Sequence, residues 1–191
     1  MPSTSSEGIN VSERELMDLV SSGDPAAGRM IYQRYVRNLV AVCSRYILND
    51  EDVKDVLQES FIRIFDSLPA FRFRGEGSLR AWMTKVTVNE ALKFIRNHRR
   101  IDFTSLPPGA AELPDDEPEI ESVPAEVIHD LICRLPDGYR MIFNLYVIEG
   151  RSHKEIAGML DIKESTSASQ LHRAKAMLAD SIRKYQNSLI R

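Results

Sequence analysis

The sequence predicts an all-α protein: two small helical domains joined by a flexible acidic linker. Three observations carry that expectation. Apolar residues recur at spacings of three and four, as in Tyr35, Leu39, Val42 and Tyr46 and again in Val53, Val56, Leu57, Phe61, Ile64 and Phe65, and no convincing alternating strand occurs. Helix-start signals precede these runs, and one proline-rich acidic stretch separates them into two groups. A length of 191 residues accommodates two modules of well under about a hundred residues each. Modules that small bury modest cores and gain stability from a partner.

The elements follow in order. Met1 to Asn10 is polar, without the cationic start and apolar stretch of a secretion signal. Ser12 with Glu15 forms a capping box opening a helix over 12–22, in which each side chain satisfies a free amide of the first turn. Asp24 followed by Pro25 opens a second helix over 25–47, where proline's missing N–H costs nothing. Asn49 or Asp50 is positioned to cap a helix over 51–67, and Ser78 one over 79–98. Residues 102–122 carry Pro107, Pro108, Gly109, Pro114 and Pro118 among acids, the composition of an extended, mobile linker. Beyond it come helices over 124–134, 137–149, 152–160 and 165–186, the third opened by a capping box of Ser152 and Glu155.

Charge is distributed unevenly behind a net value of −3. From Arg72 to Arg100 the bases Arg72, Arg74, Arg80, Lys85, Lys93, Arg96, Arg99 and Arg100 face only Glu76 and Glu90, which suits a polyanion. From Asp102 to Asp130 there are acids and no Lys or Arg. No apolar run approaches the roughly 18–20 residues of a membrane span. Cys43 and Cys133 fall in apolar helical patterns without metal-ligand spacing and are expected to be reduced core thiols of a cytosolic protein. His98, His129, His153 and His172 are dispersed, and there is no Gly-rich phosphate loop, His-Glu-x-x-His pair or nucleophile motif. The expectation is therefore no enzyme, no cofactor and no bound metal.

Ser152 to Leu160 reads as a short amphipathic helix with Ile156, Ala157 and Leu160 inward, a tight turn at Asp161 and a buried Ile162. A second helix starts near Ser165, with Leu171, Ala174, Leu178 and Ile182 inward and Thr166, Ser167, Ser169, Gln170, His172, Arg173 and Lys175 toward the rim or solvent. This is helix-turn-helix patterning, suited to a major groove. A plain helical hairpin with a polar surface has the same pattern.

In the first half, Asn49 to Phe65 has one apolar side and one acidic side, which alone reads as a solvated face. Phe71-Arg72-Phe73-Arg74-Gly75-Glu76-Gly77-Ser78 alternates aromatics with arginines before two glycines, suiting a loop that stacks on and neutralises single-stranded nucleic acid. Phe71 and Phe73 equally suit anchoring that loop to the core. In the helix over 79–98, Leu79, Trp82 and Val86 face inward, with Trp82 as a core anchor. Lys85, Asn89, Lys93, Arg96, Asn97, Arg99 and Arg100 remain available to DNA; the terminal bases also answer the helix dipole.

The segments Arg134 to Leu145, Glu149 to Ala157 and Leu171 to Lys175 together resemble region four of extracytoplasmic-function (ECF) sigma factors, and Asn49 to Phe65 resembles region two of the same family. The resemblance covers about residues 24–100 and 124–186 in matching order. It implies a sigma factor that binds core RNA polymerase and directs initiation at minus-ten and minus-thirty-five promoter elements. Residues 24–101 would be region two and 123–187 region four, flanking the linker at 102–122 and following an N-terminal segment with a short helix over 1–23.

By the resemblance, Ser165, Thr166, Ser167, Ser169, Gln170 and Arg173 contact the minus-thirty-five duplex, with Lys175 on a phosphate. Phe71, Arg72, Phe73, Arg74, Ser78, Lys85, Asn89, Lys93, Arg96, Asn97, Arg99 and Arg100 would meet the melted minus-ten strand, with Asn89, Lys85 and Ser78 lining a pocket for a flipped base. Asp52, Asp55, Gln58, Glu59 and Arg63 would contact core polymerase. Independently of the resemblance, the acidic composition of the linker suits either a soluble spacer or a strand that occupies the polymerase's positively lined RNA path in place of nucleic acid. Implied partners are core polymerase, promoter DNA and an anti-sigma factor, in the cytoplasm, with no small-molecule substrate and no membrane insertion. Asp161 stands where the family usually has Gly, and Ser167, Ala168 and Gln170 where many members have Val, Lys and Arg, so base preference does not carry over. A stand-alone helix-turn-helix regulator is the alternative.

Overall fold

The computed structural model describes residues 11–98 and 123–189, and every regular element among them is helical. In chain order these are α1 (Glu13–Ser21), α2 (Ala26–Ser44), α3 (Asp50–Ser67), a 3₁₀ turn (Leu68–Ala70), α4 (Ser78–His98), α5 (Ala125–Cys133), α6 (Asp137–Phe143), a π-turn (Asn144–Ile148), α7 (His153–Leu160) and α8 (Glu164–Leu189). The linker expected at 102–122, with Arg99 and Arg100, lies outside the described residues. The described residues divide into two compact units, one holding 11–43 and Glu51–Glu90, the other Ser44–Asp50, 91–98 and 123–189.

In the first unit the apolar stripes of α1 to α4 converge, burying Leu16, Ile31, Tyr35, Leu39, Val56, Phe61, Ile64, Leu79 and Met83. The expected capping box of α1 is present: Ser12 Oγ accepts Glu15 N at 3.2 Å, and Glu15 Oε2 accepts Ser12 N at 2.7 Å. Asp24 Oδ1 accepts Ala26 N at 2.8 Å at the head of α2.

Ser78 does not cap α4. Its hydroxyl donates to Gly75 O at 2.6 Å and accepts Arg74 N at 3.2 Å, closing the preceding loop on itself. The free amides at the start of α4 go instead to Glu13, whose carboxylate accepts Leu79 N at 2.9 Å and Arg80 N at 3.0 Å. A local capping residue is unnecessary when a distant carboxylate satisfies the same donors.

In the second unit Leu135, Tyr139, Ile142, Leu145, Ile156, Ala174 and Ile182 are buried. The helix expected over 137–149 is α-helical only to Phe143. From Asn144 it widens to i→i+5 bonding, with Glu149 N donating to Asn144 O at 2.9 Å. The wide turn leaves Tyr146, Val147 and Ile148 exposed while Leu145 stays in the core, and Tyr146 stacks on His153 at 4.5 Å. Arg140 is buried and donates to Cys133 O at 3.2 Å, Leu135 O at 2.9 Å and Asp137 Oδ1 at 2.6 Å, so a charged side chain closes the C-terminal end of α5.

Both cysteines are free. Burial pushes the Cys43 thiol up to about 12 and raises that of Cys133, so neither is a thiolate at neutral pH. Cys133 is half-buried, short of the core position expected for it. Among the described residues no helix is long and apolar enough to cross a membrane.

Candidate nucleic-acid interface

α7, the turn at Asp161 and α8 form the helix-turn-helix of the second unit. Ser152 and Glu155 make the predicted capping box, and Ile156 is fully buried beneath them. Asp161 adopts φ 55°, ψ 49°, the left-handed conformation that ends α7. A short polar side chain tolerates this better than most others, which is how the chain manages without glycine there.

On α8, Ser165, Ala168, Ser169, His172 and Lys175 form an exposed row, with Thr166 and Arg173 half-buried at its edges. Two residues expected to face solvent do not. Ser167 is fully buried and Gln170 nearly so, because they share the inward stripe of Leu171 and Ala174 at spacings of three and four. Ser167 Oγ shares a hydrogen bond of 3.0 Å with Nδ1 of His153 on α7, holding the two helices together rather than facing a groove. His172, which the resemblance had not put forward, stands between Ser169 and Lys175 on the exposed row. Its spacing from Ser165 and Lys175 is the signal that marks it.

In the first unit Arg72 and Arg74 are exposed, while Phe71 and Phe73 are half-buried. Phe71 packs on Trp82 with ring centroids 4.9 Å apart, so at least this aromatic anchors the loop. Trp82 is itself only half-buried. With Val86, Asn89 and Glu90 of α4 and Arg63, Asp66 and Ser67 of α3 it lines a cleft of about 320 Å³.

Asn89 therefore lines a concavity, with Trp82 as companion. Ser78 lies about 16 Å from it along the helix axis and is engaged in its own loop, and exposed Lys85 stands one turn before Asn89 without lining the cleft. Lys85, Asn89, Lys93 and Arg96 follow one another along one side of α4, with Lys93 half-buried and the others exposed, and Asn97 is exposed beside Arg96.

Asp55, Gln58 and Glu59 are exposed on α3 at spacings of three and four, with half-buried Asp52 one turn earlier. Arg63 is exposed, and its Nε donates to Glu90 at 2.6 Å, joining α3 to α4 where both line the cleft.

Two family profiles match the chain: sigma-70 region 2 over residues 31–101 and sigma-70 region 4 over residues 125–178. The chain belongs to the sigma-70 family, as a factor of ECF type. The ECF RNA polymerase sigma-E factor of Haemophilus influenzae is 28% identical over 184 residues, spanning 90% of this chain and 96% of that protein. The ECF RNA polymerase sigma factor SigE of Mycolicibacterium smegmatis is 30% identical over 148 residues, 73% of this chain and 55% of that protein. Among solved structures, CnrH in complex with the cytosolic domain of CnrY shares 22% identity with a TM-score of 0.48, covering 87% of this chain and 94% of that one. The sigma factor RpoE in complex with the anti-sigma factor NepR from Bartonella quintana shares 16% identity with a TM-score of 0.49, covering 83% of this chain and 98% of that one. The sigma region 2 profile spans the loop and α4; the region 4 profile ends within α8 at residue 178.

Proposed function

We propose that this sigma factor binds core RNA polymerase through α3 and reads two promoter elements, the minus-ten strand with α4 and the loop before it, and the minus-thirty-five duplex with α7 and α8. Residues 24–101 act as region two, 102–122 as the linker and 123–187 as region four. The observation that carries this reading is that one chain presents three separate polar faces: an acidic edge on α3, a basic side on α4 and a polar row opening α8. A stand-alone regulator has use for only the last.

Asp52, Asp55, Gln58 and Glu59 form the polymerase-facing edge, and Arg63 contributes from its bond to Glu90. Arg72, Arg74, Lys85, Lys93 and Arg96 neutralise the phosphates of the melted strand, while the cleft between Trp82 and Asn89 admits an extruded base. Unstacking that base costs a few kcal/mol, which contacts in the cleft offset. On α8, Ser165, Thr166, Ser169, His172 and Arg173 meet the major groove, with Lys175 on a phosphate. The factor supplies recognition while the polymerase supplies chemistry. It acts in the cytoplasm, where polymerase and chromosome are, and an anti-sigma factor is a fitting antagonist for exposed faces of this kind.

A gel shift with and without core polymerase tests the reading. Promoter-specific retention that requires core polymerase supports it. Equal, specific retention of duplex DNA by the chain alone would favour the stand-alone regulator.

A further inference from the structure

The loop that carries Phe71 to Gly77 is tied to α1 by two glutamates 63 positions apart, Glu76 within the loop and Glu13 at the head of α1. Glu76 sits between Gly75 at φ 118° and Gly77 at φ 86°, a backbone that turns its carboxylate back toward α1. There it accepts Glu13 N at 3.2 Å and Arg14 N at 3.4 Å, amides that the first turn of α1 leaves free. Glu13 returns the arrangement at α4, accepting Leu79 N and Arg80 N, and accepts the Tyr35 hydroxyl at 2.8 Å. Each glutamate thus caps the helix that the other begins or adjoins. Glu13 is only 2% exposed, so its charge depends on those donors. Arg34 of α2, whose guanidinium lies 5.5 Å from the Tyr35 ring, also donates to Val11 O just ahead of the α1 cap.

We infer that Glu13 and Glu76 are positioning residues for promoter melting: through them α1 fixes the conformation in which Arg72, Phe73 and Arg74 meet the displaced minus-ten strand. This rests on the reading of that loop as a strand-binding element. Neither glutamate touches DNA. Their contribution is to hold a glycine-flanked segment that would otherwise sample several conformations, so that ordering it is not charged against strand capture. α1 lies outside both family profiles, so the inference gives the N-terminal helix a part in selecting the promoter.

The test uses full-length chain with core polymerase, comparing wild type, Glu76→Ala, Glu76→Gln, Glu13→Ala and Glu13→Gln. Rates of open-complex formation are measured on a fully duplex promoter, on the same promoter with the minus-ten region unpaired beforehand, and on versions with single minus-ten bases changed. Core affinity and far-ultraviolet circular dichroism are measured in parallel. Glu76→Ala, an exposed position, is expected to fold and bind core normally while opening the duplex promoter about tenfold more slowly, the scale of one exposed bond to a charged group. The pre-opened promoter should recover most of the rate, discrimination between minus-ten bases should shrink, and each Gln variant should fall between wild type and Ala.

Unchanged opening and discrimination in folded Glu76→Ala would overturn the inference, whatever happens to Glu13→Ala. An Arg72→Ala, Arg74→Ala double variant separates this from failure of the loop reading. If that variant loses minus-ten discrimination and Glu76→Ala does not, the positioning role alone falls; if neither does, the loop reading falls and takes the positioning role with it.

Discussion

The carboxylate of Glu13 accepts the backbone amide of Leu79 at 2.9 Å, joining the first turn of α1 to the first turn of α4 across 66 positions of sequence. Burial would push this carboxyl up, but the bonds from Leu79, Tyr35 and Arg80 outweigh it and hold the group below its ordinary value of 4.5. A depressed acid contributes stability that is fully present above the unfolded value and is lost as pH falls through the folded one. Urea unfolding of the chain should therefore show the first unit weakening below about pH 4.5, and Glu13→Gln should flatten that dependence. Glu149, which burial holds above its ordinary value, works in the opposite sense in the second unit. A Glu13→Gln profile parallel to wild type would contradict the assignment.

Asp161 in its left-handed turn should respond to substitution in both directions. Asp161→Gly relieves the backbone and is expected to raise the stability of the second unit slightly, whereas Asp161→Val should lower it by about 1–2 kcal/mol. Chemical denaturation followed by circular dichroism measures both.

Much of this fold is legible from local pattern. The capping boxes at Ser12 and Ser152, the aspartate ahead of Pro25 and the three-four spacing of the core residues place the helices to within a few residues, because each is fixed by groups in its own first turn. What is not legible is anything set at long range. Glu13 capping α4 has no local signal, so Ser78 looked like the cap. Ser167 and Gln170 sit one helical step from exposed neighbours, and polarity alone favoured solvent until packing against α7 claimed Ser167. The widening of α6 at Asn144 likewise has no marker in composition. Of the expected interface, the α3 edge and the basic side of α4 were readable as charge at helical spacing, while the cleft beside Trp82 needed α3 and α4 to be brought together.

On α8, Lys175→Ala should weaken duplex binding by the holoenzyme about equally at all sequences and reduce the slope of log K against log salt by about 0.9. Ser169→Ala should alter sequence preference with little change of slope. Ser167→Ala should leave preference untouched, since that hydroxyl faces His153. Fluorescence anisotropy across a salt series separates the three.

Reversing charge on the exposed edge of α3, with Asp55→Lys and Glu59→Lys, should lower affinity for core polymerase by at least about tenfold without lowering thermal stability. Ile156→Ala, by contrast, leaves a cavity beneath the helix-turn-helix and should cost about 2–5 kcal/mol in the second unit. Core-binding titrations beside thermal melts distinguish a lost contact from a lost fold.

The central claim is that two separate polar faces read a promoter only when polymerase holds them. Transcription by purified core polymerase on a library of genomic fragments, with and without this chain, measures that directly. New transcripts should arise from a restricted set of start sites sharing two spaced elements, and should vanish with the Asp55→Lys, Glu59→Lys pair. The same start sites at the same yield with core polymerase alone would contradict it.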